Sequence, residues 1–382
     1  MSPARLLAFE TLRKVGRGGY ASDLLAVGAA GLDPRDAALA SEIVFGVLRY
    51  QAQLDFLIEH YSGRPLRKLD FEVVLALRMG IYQLRYLDRI PPHAAVSESV
   101  ELVKNAGVRS AAGFANAVLR KAGREAVQWP DRAVELSHPE WLLARWDREF
   151  GADATARIAQ ANLRPPETYI RVPPGREIPA AISAEATEVP GCYRLIAGEA
   201  GEFRIQDIGS QSVVPLLELA PGQTFLDLCA APGNKTAQAL ESGVRAVACD
   251  FHPKRVAMLR TLGAGVVHLD ATRPLPFGRA FDRILLDAPC TGTGTLARNP
   301  EIKWRLQPSD IEELHGRQVV LLQNALEKLA PGGILVYSTC SLEREENDGV
   351  IEELGLHPAH IMRRIQGLQA GDGFFAAVLR SR

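Results

Sequence analysis

Along the first third of the chain, apolar residues recur every three or four positions. Leu6, Leu7, Phe9, Leu12 and Val15 make one face, the spacing of an amphipathic helix. A second helix is expected after Asp33-Pro34, since proline suits a first helical turn; it carries Ala38, Ser41, Ile43, Val44 and Val47. Helical segments follow at 52–60, 70–86, 94–106 and 111–123, and Ile90-Pro91-Pro92 breaks two of them. Residues 126–165 also read as helical, with Trp141, Leu142, Trp146 and Phe150 on one side, until Pro165-Pro166. Tyr169–Val172 and Cys192–Ile196 are short β-like runs around a Pro-, Gly- and Ala-rich connector at 173–190. From residue 203 the pattern changes. Apolar strands at 224–228, 246–249, 266–269, 283–286 and 334–338 alternate with helices near 209–219, 235–242, 253–262, 310–329 and 343–353. That alternation predicts a parallel, doubly wound sheet with its ligand at the carboxyl ends of the strands. Three regions are expected: an all-helical domain 1–125, a helical and small α+β connector 126–202, and an α/β domain 203–382.

Length agrees with several domains, because 382 residues exceed what one core usually supports. Net charge is −1 overall, but residues 1–125 hold 17 Lys+Arg against 13 Asp+Glu and the remainder 27 against 32. A net of +4 at the front is a weak pointer to a polyanion. The five cysteines, at 192, 229, 249, 290 and 340, form no C-x-x-C pair and no zinc spacing, so no metal is expected. No signal peptide and no 18-residue apolar run is evident. The expected setting is therefore reducing cytosol without a membrane, where a cysteine stays a thiol.

The first long strand runs into Asp227-Leu228-Cys229-Ala230-Ala231-Pro232-Gly233-Asn234-Lys235-Thr236. Small residues at 230, 231 and 233 would let a ligand approach the backbone, and a helix begins just after. Asp250 ends the next strand, about 20 residues on, where an acid usually takes a ribose diol. A phosphate loop would need G-x-x-x-x-G-K-[ST] and a dinucleotide loop G-x-G-x-x-G. The chain has neither, so a nucleoside without pyrophosphate fits better, and S-adenosylmethionine is the common one. Asp270, after the third strand, is either an acceptor for an adenine amino group or a turn acid.

The fourth strand ends in Asp287-Ala288-Pro289-Cys290-Thr291-Gly292 and the fifth in Ser338-Thr339-Cys340-Ser341. One buried cysteine is usually a small hydrophobe; two at polar strand ends on one rim point to a thiolate nucleophile assisted by a second thiol. Attack on a pyrimidine needs this set. A thiolate adding to C6 makes C5 enamine-like, an acid at N3 stabilises the adduct, and a base must remove the C5 proton before the thiol leaves.

These motifs, with Glu345-Glu346-Asn347 following, resemble the RNA 5-methylcytosine methyltransferases. Arg35-Asp36, Gly46–Tyr50, Ile90–Glu98 and Asn116–Arg120 resemble the helical NusB-type RNA-binding domain. The combination is similar to the bacterial Sun/RsmB family, as are Ser137–Trp141, Gln206-Asp207 and Gly371–Phe375. The resemblance spans nearly the whole chain. It implies an all-α NusB-like domain joined to a Rossmann-like methyltransferase domain, S-adenosylmethionine as cofactor and a cytosine of 16S ribosomal RNA as target, in a monomer. It makes Cys340 the nucleophile and Cys290 the residue that assists release. Cys229, Ala230, Ala231, Pro232, Gly233, Asn234 and Lys235, with Asp250, Asp270 and Asp287, become the donor site, and Asp287 also faces the cytosine. Asn234 stands where the family has Gly and is expected to place a side chain beside the donor; the stretch from Asn347 to Gly371 is short. Arg49, Arg120 and Lys303, the last in Lys303-Trp304-Arg305, are the candidate RNA contacts. Two alternatives stay open at this point: action on another RNA such as tRNA, and a catalytically silent NusB-like binder.

Overall fold

A computed structural model describes residues 1–123 and 126–381. The boundary expected after residue 125 falls at a position outside the described residues. Two compact units are present: Met1–Arg164 with Leu296–Arg305, and Pro165–Thr295 with Leu306–Arg382.

The first unit is helical: α1 (Pro3–Val15), α2 (Ala21–Gly28), α3 (Pro34–Arg49), α4 (Gln51–Ser62), α5 (Phe71–Tyr86), α6 (Pro92–Asn105), α7 (Ala112–Lys121), α8 (Arg132–Leu136), α9 (Glu140–Phe150) and α10 (Ala152–Asn162). α3 starts where Asp33 accepts the amide of Arg35 and Pro34 takes the first turn. Its apolar stripe of Ala40, Ile43, Val44 and Val47 is buried. Against it runs α5, apolar almost all round from Val73 to Ile81, as a central helix must be. Gly46 permits the approach: a Cβ there would lie 1.9 Å from the Tyr82 ring.

The segment Leu296–Arg305, far away in sequence, caps three helices of this unit. Glu301 accepts the Ala21 amide at the start of α2 (2.9 Å). Lys303 Nζ and Trp304 Nε1 donate to the Arg49 and Leu48 carbonyls that end α3 (2.9 and 2.7 Å). Arg305 donates to the Val15 carbonyl at the end of α1 and to Gly19 just beyond (2.6 and 2.5 Å). A carboxylate thus meets a helix N-terminus and cations meet two C-termini, where unpaired backbone groups need partners and the dipole favours those charges.

The second unit opens with a four-stranded antiparallel sheet, β1 (Tyr169–Arg171), β2 (Ser183–Ala186), β3 (Cys192–Ala197) and β4 (Arg204–Ile205), in the order β2-β3-β1-β4. β2 lies inside the stretch expected as connector. Then come α11 (Ile208–Val213), β5 (Thr224–Asp227), α12 (Asn234–Leu240), β6 (Arg245–Asp250), α13 (Pro253–Leu259), β7 (Gly265–His268), β8 (Phe281–Asp287), α14 (Pro308–Leu326), β9 (Leu329–Thr339), α15 (Asp348–Glu353), β10 (His360–Arg364) and β11 (Phe374–Arg380). The large sheet runs β10-β11-β9-β8-β5-β6-β7. Strands β5 to β9 are parallel, but β11 pairs antiparallel with β9 and β10 with β11. The five strands read from the sequence are parallel as expected, and two further strands, β10 and β11, extend that sheet antiparallel and make it mixed. The chain winds from β5 outward to β7, then crosses to β8 on the other side of β5. That reversal is the switch point at which such sheets open a crevice.

Candidate active site

Register brings the acidic strand ends together. Asp227 of β5 pairs alongside Ala248 of β6 and Leu285 of β8, while Asp287 of β8 lies beside Ser338 of β9. A cavity of about 250 Å³ opens at these ends. Cys229, Ala231, Asp250, Asp270, Asp287, Cys290 and Cys340 all line it, so the second unit gathers residues spread over 112 positions of sequence around one space.

The donor loop divides its work. Cys229 and Ala231 face the cavity. Ala230 packs with Ala248 and Leu259, and Pro232 is exposed. Gly233 has φ +108°, and a Cβ on it would meet Leu262 at 2.5 Å; its smallness serves the packing of α13 and the turn that follows it, not an approach of ligand. Asn234 sends its amide to the Ile205 carbonyl (3.3 Å). That bond turns its side chain to the end of β4. Lys235 pairs with Asp287 (Nζ to Oδ2, 2.6 Å), whose other oxygen accepts from Ser338 Oγ at 2.8 Å.

Asp250 is 4% exposed and accepts the amides of Ala231 (3.3 Å) and His252 (3.0 Å), one on each oxygen. It ties the loop to the second strand and keeps lone pairs for a ligand. Asp270 accepts the Thr272 amide and hydroxyl at 3.0 and 2.6 Å; these bonds hold its carboxyl below the usual carboxylate range. Turn acid and cavity wall are thus one residue. Phe251 and Arg317 also line the cavity, the guanidinium 5.9 Å from the ring centroid. Sequence reasoning missed both. An aromatic directly after the acid of a strand end, left 47% exposed, was the available signal for Phe251; Arg317 offered none.

The sulfurs of Cys290 and Cys340 are 3.4 Å apart. Their loops are held by backbone bonds from Ala288 N to Ser338 O and Gly294 N to Cys340 O. The contact with Cys340 and burial push the Cys290 thiol well above its ordinary value. Thr339, the residue before the nucleophile candidate, donates to Asn347 Oδ1 (2.5 Å), and Asn347 donates to the Ser341 carbonyl (3.0 Å).

Of the three candidate RNA contacts, Arg120 is exposed at the end of α7. Arg49 and Lys303 are buried, at 4% and 1% exposure. Arg49 spends its guanidinium on the Ala297 carbonyl (2.8 and 3.1 Å) and Lys303 its ammonium on the Arg49 carbonyl. A phosphate contact needs a charge in solvent reach; burial instead lowers the pKa of both, and they hold the Leu296–Arg305 segment in the helical unit.

Comparison with known proteins identifies the domains. Residues 2–124 match the NusB family, 138–182 the ferredoxin-like domain of RsmF/B-like methyltransferases and 214–367 the 16S rRNA methyltransferase RsmB/F model. The chain is 33% identical to the probable ribosomal RNA small subunit methyltransferase B of Bacillus subtilis (strain 168), covering 91% of this chain and 87% of that protein. It is 34% identical to ribosomal RNA small subunit methyltransferase B of Yersinia pseudotuberculosis serotype O:1b (strain IP 31758), covering 91% of each. The crystal structure of PH0851 shares the fold over 100% of this chain and 99% of that one, with a TM-score of 0.82 at 23% identity. Helical front, small sheet and mixed α/β sheet with two thiols on its rim accordingly make this chain a member of the RsmB/F family of 16S rRNA methyltransferases.

Proposed function

We propose that the chain methylates C5 of a cytosine in 16S ribosomal RNA, using S-adenosylmethionine, through a covalent bond from Cys340 to C6 that is resolved with help from Cys290. The observation that carries this reading is the pair of thiols 3.4 Å apart at the ends of β8 and β9, both on the cavity that Asp250 and Asp270 line. That cavity fits the donor by its chemistry. Asp250 offers a buried carboxylate to a ribose diol, Asp270 an acceptor to an adenine amino group and Phe251 a ring face, and the loop offers no phosphate cradle. When bound, the donor supplies an electrophilic methyl group.

The residues then divide the work. The Cys340 thiolate attacks C6, forming the S–C6 bond and moving the ring electrons towards C5 and N3. Lys235 and Asp287, joined at 2.6 Å, form the polar pair that stabilises the N3 side of the ring by hydrogen bonding and proton donation. C5, now nucleophilic, takes the methyl group, with S-adenosylhomocysteine as the leaving group. Because Cys340 is then a thioether, its contact no longer helps to hold the Cys290 thiol up, and Cys290, its own proton lost to solvent, takes the C5 proton as thiolate. The electron pair of that C–H bond restores the C5–C6 double bond and expels Cys340 as thiolate, while the proton at N3 returns to the Lys235–Asp287 pair.

The two thiols therefore fail differently. Cys340→Ala should leave the target cytosine unmethylated by bisulfite sequencing and form no adduct. Cys290→Ala should accumulate a protein–RNA complex that survives denaturing electrophoresis, since losing a general base slows release by about 10²–10⁴-fold. An active Cys340→Ala enzyme would refute the mechanism. Normal turnover by Cys290→Ala, without trapped RNA, would assign the C5 proton to another base.

A further inference from the structure

Behind the two thiols lies a buried carboxylate that the reaction scheme does not use. Glu346 is 0% exposed and sits in the turn after Cys340. One of its oxygens accepts the Thr291 amide (2.9 Å) and Gln318 Nε2 (3.0 Å). The other accepts the hydroxyls of Thr291 and Ser341, each at 2.5 Å. Thr291 directly follows Cys290 and Ser341 directly follows Cys340. One carboxylate thus grips the next residue after each thiol. Gln318 widens the grip, donating also to the Pro289 carbonyl just before Cys290 (2.8 Å). The backbone of Glu346 is held in turn, its carbonyl accepting from Tyr337 Oη (2.6 Å).

Four hydrogen bonds meet its two oxygens, the Thr291 amide and Gln318 Nε2 on one and two hydroxyls, which can donate or accept, on the other. Burial pushes the carboxyl up, and the hydroxyl, amide and Gln318 bonds oppose that. A side chain kept in such a place must stabilise something beyond its own burial, because an apolar isostere would fill the space without the desolvation cost. Besides this grip, backbone bonds bracket the pair, Ala288 N to Ser338 O before the thiols and Gly294 N to Cys340 O after Cys290, and Ser341 Oγ lies 3.1 and 3.3 Å from the hydroxyls of Thr291 and Thr293. The backbone bonds fix the two ends of the Cys290 loop, and the carboxylate holds the residue between them.

We propose that Glu346 is the positioning residue that sets the distance between the Cys290 and Cys340 sulfurs, by holding Thr291 and Ser341 on a single carboxylate. It touches neither substrate nor donor. Its importance for turnover rests on the reading that both thiols act on one pyrimidine; its effect on thiol spacing does not.

The test uses the full-length protein and two readouts. Phenylarsine oxide bridges two close thiols with loss of water and needs no RNA. Wild type should bind it, and Cys290→Ala and Cys340→Ala should each abolish that binding. Glu346→Gln keeps the shape but replaces one acceptor oxygen with an NH2 group that cannot accept from the Thr291 amide or Gln318. It should bind the arsenical more weakly and lose roughly 10- to 100-fold in kcat, the scale of a displacement near 1 Å, with KM for 16S RNA within about twofold of wild type. Glu346→Ala should do worse on both counts. If Glu346→Gln melts below the assay temperature, Ser341→Ala, which removes the hydroxyl that meets both the carboxylate and the Thr291 hydroxyl, decides by the same two measurements. Unchanged arsenical affinity in the folded variant overturns the proposal, whatever happens to kcat. If Cys340→Ala proves active while Glu346→Gln still loosens the arsenical, the mechanism falls and the positioning role stands.

Discussion

Asp227 offers a prediction in which the structure sets the size of the effect. Its carboxylate ends β5 directly beneath the donor loop, 1% exposed, with Oδ2 accepting from Thr236 Oγ1 at 2.6 Å. Burial, aided by the nearby Asp287 charge and opposed by the Thr236 bond, pushes its pKa from 3.8 up to about 7. The sign follows from which state holds the proton. Between the two values the folded carboxyl stays neutral while the unfolded one has ionised, so the unfolded state binds fewer protons and stability falls as pH rises. Full benefit is present below about pH 4 and is lost as pH climbs through about 7. For those two pKa values the loss between pH 5 and pH 8 amounts to about 2–3 kcal/mol. Asp227→Asn keeps the shape and an oxygen for Thr236 but cannot ionise. Urea unfolding of wild type and variant at pH 5 and pH 8 isolates the residue, because every other group titrates in both proteins. The variant should gain about 2–3 kcal/mol relative to wild type on going from pH 5 to pH 8. Parallel stability curves for the two proteins would refute the reasoning and show that Asp227 is ionised in the fold across this range.

Three further outcomes are expected. Asp250→Ala should weaken S-adenosylmethionine binding by roughly 1.5–3 kcal/mol, the worth of hydrogen bonds to a charged group; unchanged affinity by calorimetry in a folded variant would remove Asp250 from the donor site. Trp304→Phe deletes the donor to the Leu48 carbonyl at the end of α3 and should cost about 0.5–1.5 kcal/mol, seen as a lower melting temperature of the full chain; an unchanged Tm would mean the cap contributes nothing. Arg120→Gln, on an exposed helix end, should weaken binding to 16S RNA and lower the salt slope by about one phosphate contact; identical slopes would exclude it. Removing residues 1–125 is a poorer test of RNA affinity, because it would strip Lys303, Trp304 and Arg305 of the carbonyls they cap.

Much of the site was legible in the chain because its information is local. Strand ends are marked by an apolar run followed at once by an acid, a proline or a thiol, so Asp250, Asp287, Cys290 and Cys340 could be placed on one rim from periodicity and topology alone. Helical spacing likewise revealed the front unit, and the motif set revealed the family. What remained hidden depends on contacts between distant residues. The run Phe374–Leu379 is apolar throughout, and periodicity cannot tell such a run in a buried strand from one in a buried helix; only pairing with β9 and β10 makes it antiparallel. Lys303-Trp304-Arg305 reads as a basic surface stretch, yet carbonyls 254 to 290 positions away draw it into the helical unit. Gly233 looks like a ligand-approach glycine, whereas Leu259 and Leu262 occupy that side. Glu346 looks like one acid among several on a turn, and becomes a clamp only when Thr291 arrives from the loop after β8, 55 residues earlier. Backbone propensity and alternation act over a few residues, so sequence alone settles elements and strand ends. Which polar group meets which orphaned carbonyl or hydroxyl is decided when those elements pack, because only then does leaving a buried group unpaired carry its cost.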